Sequence, residues 1–125
     1  MTENPAPQLS ILVVDDDPDS ADGLALLLEH WSHRVCVAYD GAAAIEVFRR
    51  QLPSVVLIDI GLPDMDGFEL ARALRAEGRP VTLAALTGFG DDGASAEAGF
   101  DHHFVKPVDL CALRELLDRV GASPR

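Results

Sequence analysis

Val55, Val56, Leu57 and Ile58 form an unbroken apolar run that delivers one carboxylate, Asp59, and is closed off by Gly61 and Pro63. Four consecutive apolar residues between Pro53 and that turn show no polar alternation, so they predict a strand buried on both faces, as in a parallel sheet. In open parallel sheets, ligand sites lie just beyond the carboxyl ends of the strands, which puts Asp59 where chemistry is expected. Asp is also common as a cap at turns, so Asp59 taken alone leaves both readings open.

The other apolar runs decide between them. Ile11 to Val14 runs into Asp15, Asp16 and Asp17, residues 81–86 run into Thr87 and Gly88, and Phe104 and Val105 run into Lys106 and Pro107. Each run ends on a polar side chain. Between the runs lie helical patterns. Asp17 followed by Pro18 is a helix start, with Ala21, Leu24, Ala25 and Leu28 at the spacing of one buried face and an end near residues 30–33. A short strand over 34–38 follows. Asp40 and Gly41 open a second helix, in which Ala44, Val47 and Phe48 face inward until Leu52 and Pro53 stop it.

A third helix runs from after Gly67 to about residue 76, where Glu77, Gly78, Arg79 and Pro80 break it. A weak fourth helical region covers 91–98 and contains Gly93. The last helix covers 109–120, with Leu110, Leu113, Leu117 and Val120 on one face. Five strands alternating with five helices give an α/β, doubly wound sheet. At 125 residues the chain is one domain.

Asp15, Asp16 and Asp59 are three carboxylates at the ends of two apolar runs, and were those two strands neighbours the acids would repel one another unless a cation were present. A hard divalent ion suits such an oxygen-rich set, and no His or Cys cluster competes for the role. The ordered set of two acids, an acceptor acid, a hydroxyl and a lysine resembles the site of the response-regulator receiver domain of two-component signalling. The resemblance covers about residues 9–121 and leaves 1–8 as a flexible N-terminal tail and 122–125 as a C-terminal tail.

The resemblance implies a flavodoxin-like five-stranded parallel sheet in the order 2-1-3-4-5, an order that alternation alone does not fix. It implies Mg2+, with Mn2+ as an alternative, held directly by Asp16, Asp59 and the backbone carbonyl of Gly61, with Asp15 acting through water. Asp59 would be the phosphoacceptor, taking a phosphoryl group from a phosphohistidine on a histidine kinase or histidine phosphotransfer protein. Lys106 and Thr87 would neutralise the transferred group, and Pro107 would follow a cis bond that directs the lysine into the site. Such a phosphoprotein is a signalling receiver that catalyses only its own phosphorylation and dephosphorylation.

Switching is the second half of what the resemblance implies. Thr87 would move toward the new dianion, and an aromatic side chain three positions before the lysine would turn inward, presenting a surface to a downstream protein target. That position holds His103, smaller than the usual aromatic and able to carry charge near neutral pH, so the expectation is a burial-driven switch that is either weaker or pH-sensitive. Gly61, two after Asp59, and Phe89, two after Thr87, occupy the positions that the resemblance implies would influence attack of water on the acyl phosphate. Between Thr87 and Lys106 the chain is about three residues shorter than the usual receiver, close to one turn, which predicts a shortened fourth helix.

Two rivals are weighed against this. A magnesium-dependent phosphatase working through an aspartyl phosphate commonly has an acid two residues after the nucleophile, where Gly61 stands. A non-phosphorylated interaction module would lack an acid or the lysine, and all five residues are present.

A net charge of −11, from ten basic and 21 acidic residues, disfavours contact with nucleic-acid phosphates. No apolar stretch approaches the roughly 20 residues needed to cross a bilayer, so no membrane association is expected. The first eight residues lack the basic start and apolar core of a secretory signal, and the expected location is cytoplasmic. Cys36 and Cys111 match no metal or redox spacing and read as small buried thiols. His30, His33, His102 and His103 read as surface histidines, and Trp31 as a partly buried anchor. The chain ends at Arg125, a few residues past the last helix, which suggests a free-standing regulator or the receiver piece of a hybrid kinase; Met1 favours the former.

Overall fold

The apolar runs lie side by side as one parallel sheet in a computed structural model that describes residues 8–62, 64–88 and 99–122. The strands are β1 (Ser10–Val14), β2 (Arg34–Ala38), β3 (Val55–Asp59), β4 (Thr82–Thr87) and β5 (His102–Val105), in the spatial order β2-β1-β3-β4-β5. Four helices are described: α1 (Pro18–His30), α2 (Gly41–Gln51), α3 (Gly67–Arg75) and the C-terminal helix, α4 (Leu110–Ala122). The weak helix expected over 91–98, and Phe89 with it, lie outside the described residues.

Both faces of the sheet are covered, which is why the central strands need no polar alternation. Leu12, Val14, Val56 and Ile58 pack with Phe48 of α2 and Leu70 and Leu74 of α3. Ile11, Val13, Val55 and Leu57 point the other way and pack with Ala21 and Leu28 of α1 and Leu113, Leu116 and Leu117 of α4. All four residues of 55–58 are fully buried. Truncating one of these side chains to alanine costs about 2–5 kcal/mol.

The helix boundaries have local causes. The Asp17 carboxylate accepts the Asp19 N–H at 3.1 Å and caps α1, with Pro18 in the first turn. Asp40 caps α2 by accepting the Ala43 N–H at 2.8 Å, and Leu52, at φ 51°, ends it before Pro53. Asp66 and Glu69 form a reciprocal capping box on α3. Asp109 receives the Cys111 and Ala112 N–H groups ahead of α4.

Three expectations are corrected. Leu110 is 46% exposed, because the buried stripe of α4 runs through Leu113, Leu116 and Leu117 and its first residue lies to one side of it. Cys111, one position on, is exposed, and Cys36 on the edge strand β2 is half-buried, so neither is a buried core thiol. His33 is only 9% exposed, held inside by a hydrogen bond from the Leu9 N–H to its Nδ1 at 3.1 Å. His30, His102 and His103 are exposed. Trp31 is half-buried, with the Arg114 guanidinium 5.0 Å from its ring centroid.

Candidate phosphoacceptor site

Strand order and register bring the acids together. β1 and β3 are neighbours, with Val13 opposite Leu57 and Val14 opposite Ile58, so Asp15 and Asp16 leave β1 beside the end of β3 that carries Asp59. The chain departs in opposite directions across the sheet after these two strands, and the crevice between them opens at their carboxyl ends. Oxygens of Asp15, Asp16 and Asp59 all lie within 4.8 Å of one another.

The three acids of the 15–17 run divide their roles. Asp15 is 3% exposed; its N–H donates to the Ala38 carbonyl at 3.1 Å and its Oδ1 accepts the Asp17 N–H at 3.0 Å. Asp16 is exposed, while Asp17 is spent on the α1 cap. Asp59 is half-buried and its Oδ1 accepts the Gly61 N–H at 3.1 Å.

Lys106 arrives from β5, 47 residues along the chain. Its Nζ stands 3.2 Å from Asp59 Oδ2 and 3.6 Å from Asp15 Oδ2. The Lys106–Pro107 bond is cis. The Lys106 N–H donates to the Thr87 carbonyl at 2.7 Å, which fixes the end of β5 to the end of β4. Thr87 is buried, one residue beyond the Leu86 that pairs with Asp59. His103 is opposite Ala85 on β5 with its side chain exposed.

Burial disfavours the charged form of Asp15, and the neighbouring Asp59 adds to this, so its carboxyl titrates above the ordinary Asp value despite the Asp17 N–H and Lys106. Burial acts against the Lys106 ammonium, but the attraction of Asp59 and Asp15 outweighs it and holds its pKa up. Three carboxylates against one ammonium leave an excess of negative charge in a partly buried crevice. A hard divalent cation fits that donor set, since the clustered ligand atoms of Asp15, Asp16 and Asp59 are carboxylate oxygens and the backbone at Gly61 is exposed beside them.

Residues 11–118 match the family model described as the response regulator receiver domain. The chain belongs to that family. A 14.6 kDa uncharacterized protein of Leptolyngbya boryana is 38% identical over 117 residues, covering 90% of this chain and 89% of that one. The probable transcriptional regulatory protein TcrX of Mycobacterium tuberculosis is also 38% identical, covering 92% of this chain, and this receiver spans about half (52%) of TcrX. Among solved structures, the BeF3-activated N-terminal receiver domain of Klebsiella pneumoniae RstA superposes with a TM-score of 0.83 at 31% identity, covering 91% of this chain and 99% of that one.

Of the residues singled out in the sequence, the receiver fold gathers Asp15, Asp16, Asp59 and Lys106 within ion-pair or ligand distance, with Thr87 at the end of the adjoining strand. Among the described residues, no helix is long and apolar enough to cross a membrane. Asp64 was missed. Its two carboxylate oxygens accept the Gly41 and Ala42 N–H groups at 2.8 and 3.1 Å. The hint in the sequence was its place beside the Asp66 cap, but nothing there names a partner 23 residues upstream.

Proposed function

We propose that this receiver accepts a phosphoryl group on Asp59 from a phosphohistidine of a histidine kinase or histidine phosphotransfer protein, in the cytoplasm, and passes the change to a downstream protein target. The Asp59 carboxylate attacks phosphorus, the phosphorus–nitrogen bond to the imidazole breaks, and the imidazole keeps that electron pair. An acyl phosphate remains on Asp59. Lys106 and the Thr87 hydroxyl neutralise phosphoryl oxygens, which is most of what phosphoryl transfer asks of a protein.

Mg2+, or Mn2+, would be held by Asp16, Asp59 and the Gly61 carbonyl, with Asp15 acting through water, and supplies further charge neutralisation. Thr87 and His103 are the proposed switch pair, and Gly61 and Phe89 the positions that set water access; Phe89 lies outside the described residues. The functional unit is taken as residues 9–121. It turns over no external substrate.

The observation that carries this reading is the 3.2 Å approach of Lys106 Nζ to Asp59 Oδ2 beside two further carboxylates. Treatment with acetyl phosphate and Mg2+ followed by intact-mass measurement is expected to add one phosphoryl group to the wild type and none to Asp59→Asn. Equal mass gain in both proteins, or in neither, would sink the assignment.

A further inference from the structure

Gly61 has nothing within 4 Å of the place a Cβ would occupy, so the carbonyl proposed as a ligand sits on a stretch with open space around it. Besides the Gly61 N–H bond to Asp59 Oδ1, at 3.1 Å, its position depends on anchors further along the connection. One anchor is Gly67, whose N–H donates to the Ile60 carbonyl at 2.8 Å and whose missing side chain lets it close on β3, since a Cβ there would fall 2.8 Å from Ile60 Cα. The second anchor reaches another element. Asp64 spans to the start of α2, and beside it Met65 packs where a side chain on Gly41 would be, 2.5 Å from Met65 Cγ.

Two carboxylates thus share the first turn of α2. Asp64 takes the Gly41 and Ala42 N–H groups and Asp40 takes that of Ala43, while Ala44 already bonds back to the Asp40 carbonyl. The Gly41 bond holds the Asp64 carboxyl below the ordinary range against some desolvation, with Ala42 assisting, so the clamp stays charged at neutral pH. Asp40 belongs to α2 itself and caps it locally. Asp64 belongs to the β3–α3 connection and ties it to α2.

We propose that Asp64 is a positioning residue of the phosphoacceptor site: by fastening the connection that carries Gly61 to the first turn of α2, it sets the Gly61 carbonyl against Asp16 and Asp59 and so raises divalent-cation affinity. This rests on the receiver reading above. Outer groups that orient metal ligands commonly change affinity 10–100-fold when removed. Asp40 provides a matched control, because its removal deletes one negative charge and one cap from the same helix end without touching the connection.

The experiment is titration of the full chain with Mg2+ by calorimetry, for wild type, Asp64→Ala, Asp40→Ala and Asp16→Asn, with thermal melts of each. Both cap variants are expected to melt below wild type. Asp64→Ala should weaken Mg2+ binding about tenfold, and Asp40→Ala should leave it within about twofold of wild type. Asp64→Ala binding as tightly as wild type, or Asp40→Ala weakening as much as Asp64→Ala, overturns the positioning role. Those results leave the receiver reading standing if Asp16→Asn still abolishes binding. A wild type that binds no Mg2+ overturns both.

Discussion

The two ends of the sheet are built on opposite principles. At the carboxyl ends of the strands, three carboxylates share one ammonium, and Asp15 is pushed toward its neutral form. At the amino ends, polar groups are matched. Arg75 donates to the Gly99 carbonyl at 2.8 Å, the Val81 carbonyl at 2.8 Å and Asp101 Oδ2 at 2.6 Å, and the same Asp101 oxygen accepts the Leu83 N–H at 2.9 Å. Gly99, at φ 102°, lets the chain come this close, as a Cβ there would stand 3.0 Å from Arg75 Cγ. His33 ties the start of β1 to the entry of β2 in the same way. One end holds the fold closed, while the other keeps an excess of negative charge that a cation would relieve.

Arg75→Met tests the closed end and has the largest expected effect. It removes three hydrogen bonds and leaves Asp101 without its cation, so urea unfolding should show a loss of about 2–3 kcal/mol. Uptake of a phosphoryl group at Asp59 should be unchanged where the variant is folded. A loss under about 0.5 kcal/mol would mean that Arg75 is only a solvated surface ion, and the division between the two ends would collapse.

The same division explains what could be read from the sequence. The paired strands β1 and β3 were legible because 11–14 and 55–58 are apolar without interruption, a pattern forced by burial on both faces. Asp15, Asp16, Asp59, Thr87 and Lys106 were legible because each terminates such a run, although the strand order that unites them came from the family resemblance. Asp64, Arg75 and His33 were not legible. Their partners include backbone N–H or C=O groups of Gly41, Gly99, Val81 and Leu9, and every residue carries such groups, so no side-chain pattern marks them. Leu110 misled because 110, 113, 117 and 120 and 113, 116, 117 and 120 are equally good helical stripes, and only the sheet beneath selects the second.

Asp15→Asn probes the other end and should move stability in the opposite direction. The amide keeps an acceptor for the Asp17 N–H and removes a buried charge that lies against Asp59, at the cost of its attraction to Lys106. In metal-free protein at pH 7, urea unfolding should show a gain of about 1 kcal/mol, with weaker Mg2+ binding as the counterpart. Destabilisation of similar size would place the Lys106 attraction above burial and repulsion, and the site would then resemble the matched end.

The smallest effect concerns His33, where the closed end contains a titratable group. Nδ1 accepts the Leu9 N–H, so the buried imidazole must be neutral with its proton on Nε2. Burial lowers its pKa below the ordinary 6.5, with Asp118 pulling upward and Arg114 downward. In the unfolded chain the imidazole takes up its proton near pH 6.5. Stability is therefore unaffected above that value and declines as pH falls through it toward the lower folded pKa. Asn places an amide oxygen near the position of Nδ1 and cannot titrate. Between pH 7.5 and 5.5, wild type should lose up to about 1 kcal/mol more than His33→Asn, with the Leu9 amide exchanging faster in wild type at the acidic end. Parallel stability curves for the two proteins would show that the folded protein takes up the proton as readily as the unfolded chain, so that losing the Leu9 bond costs nothing, and that the amino end of the sheet tolerates charge as readily as the carboxyl end.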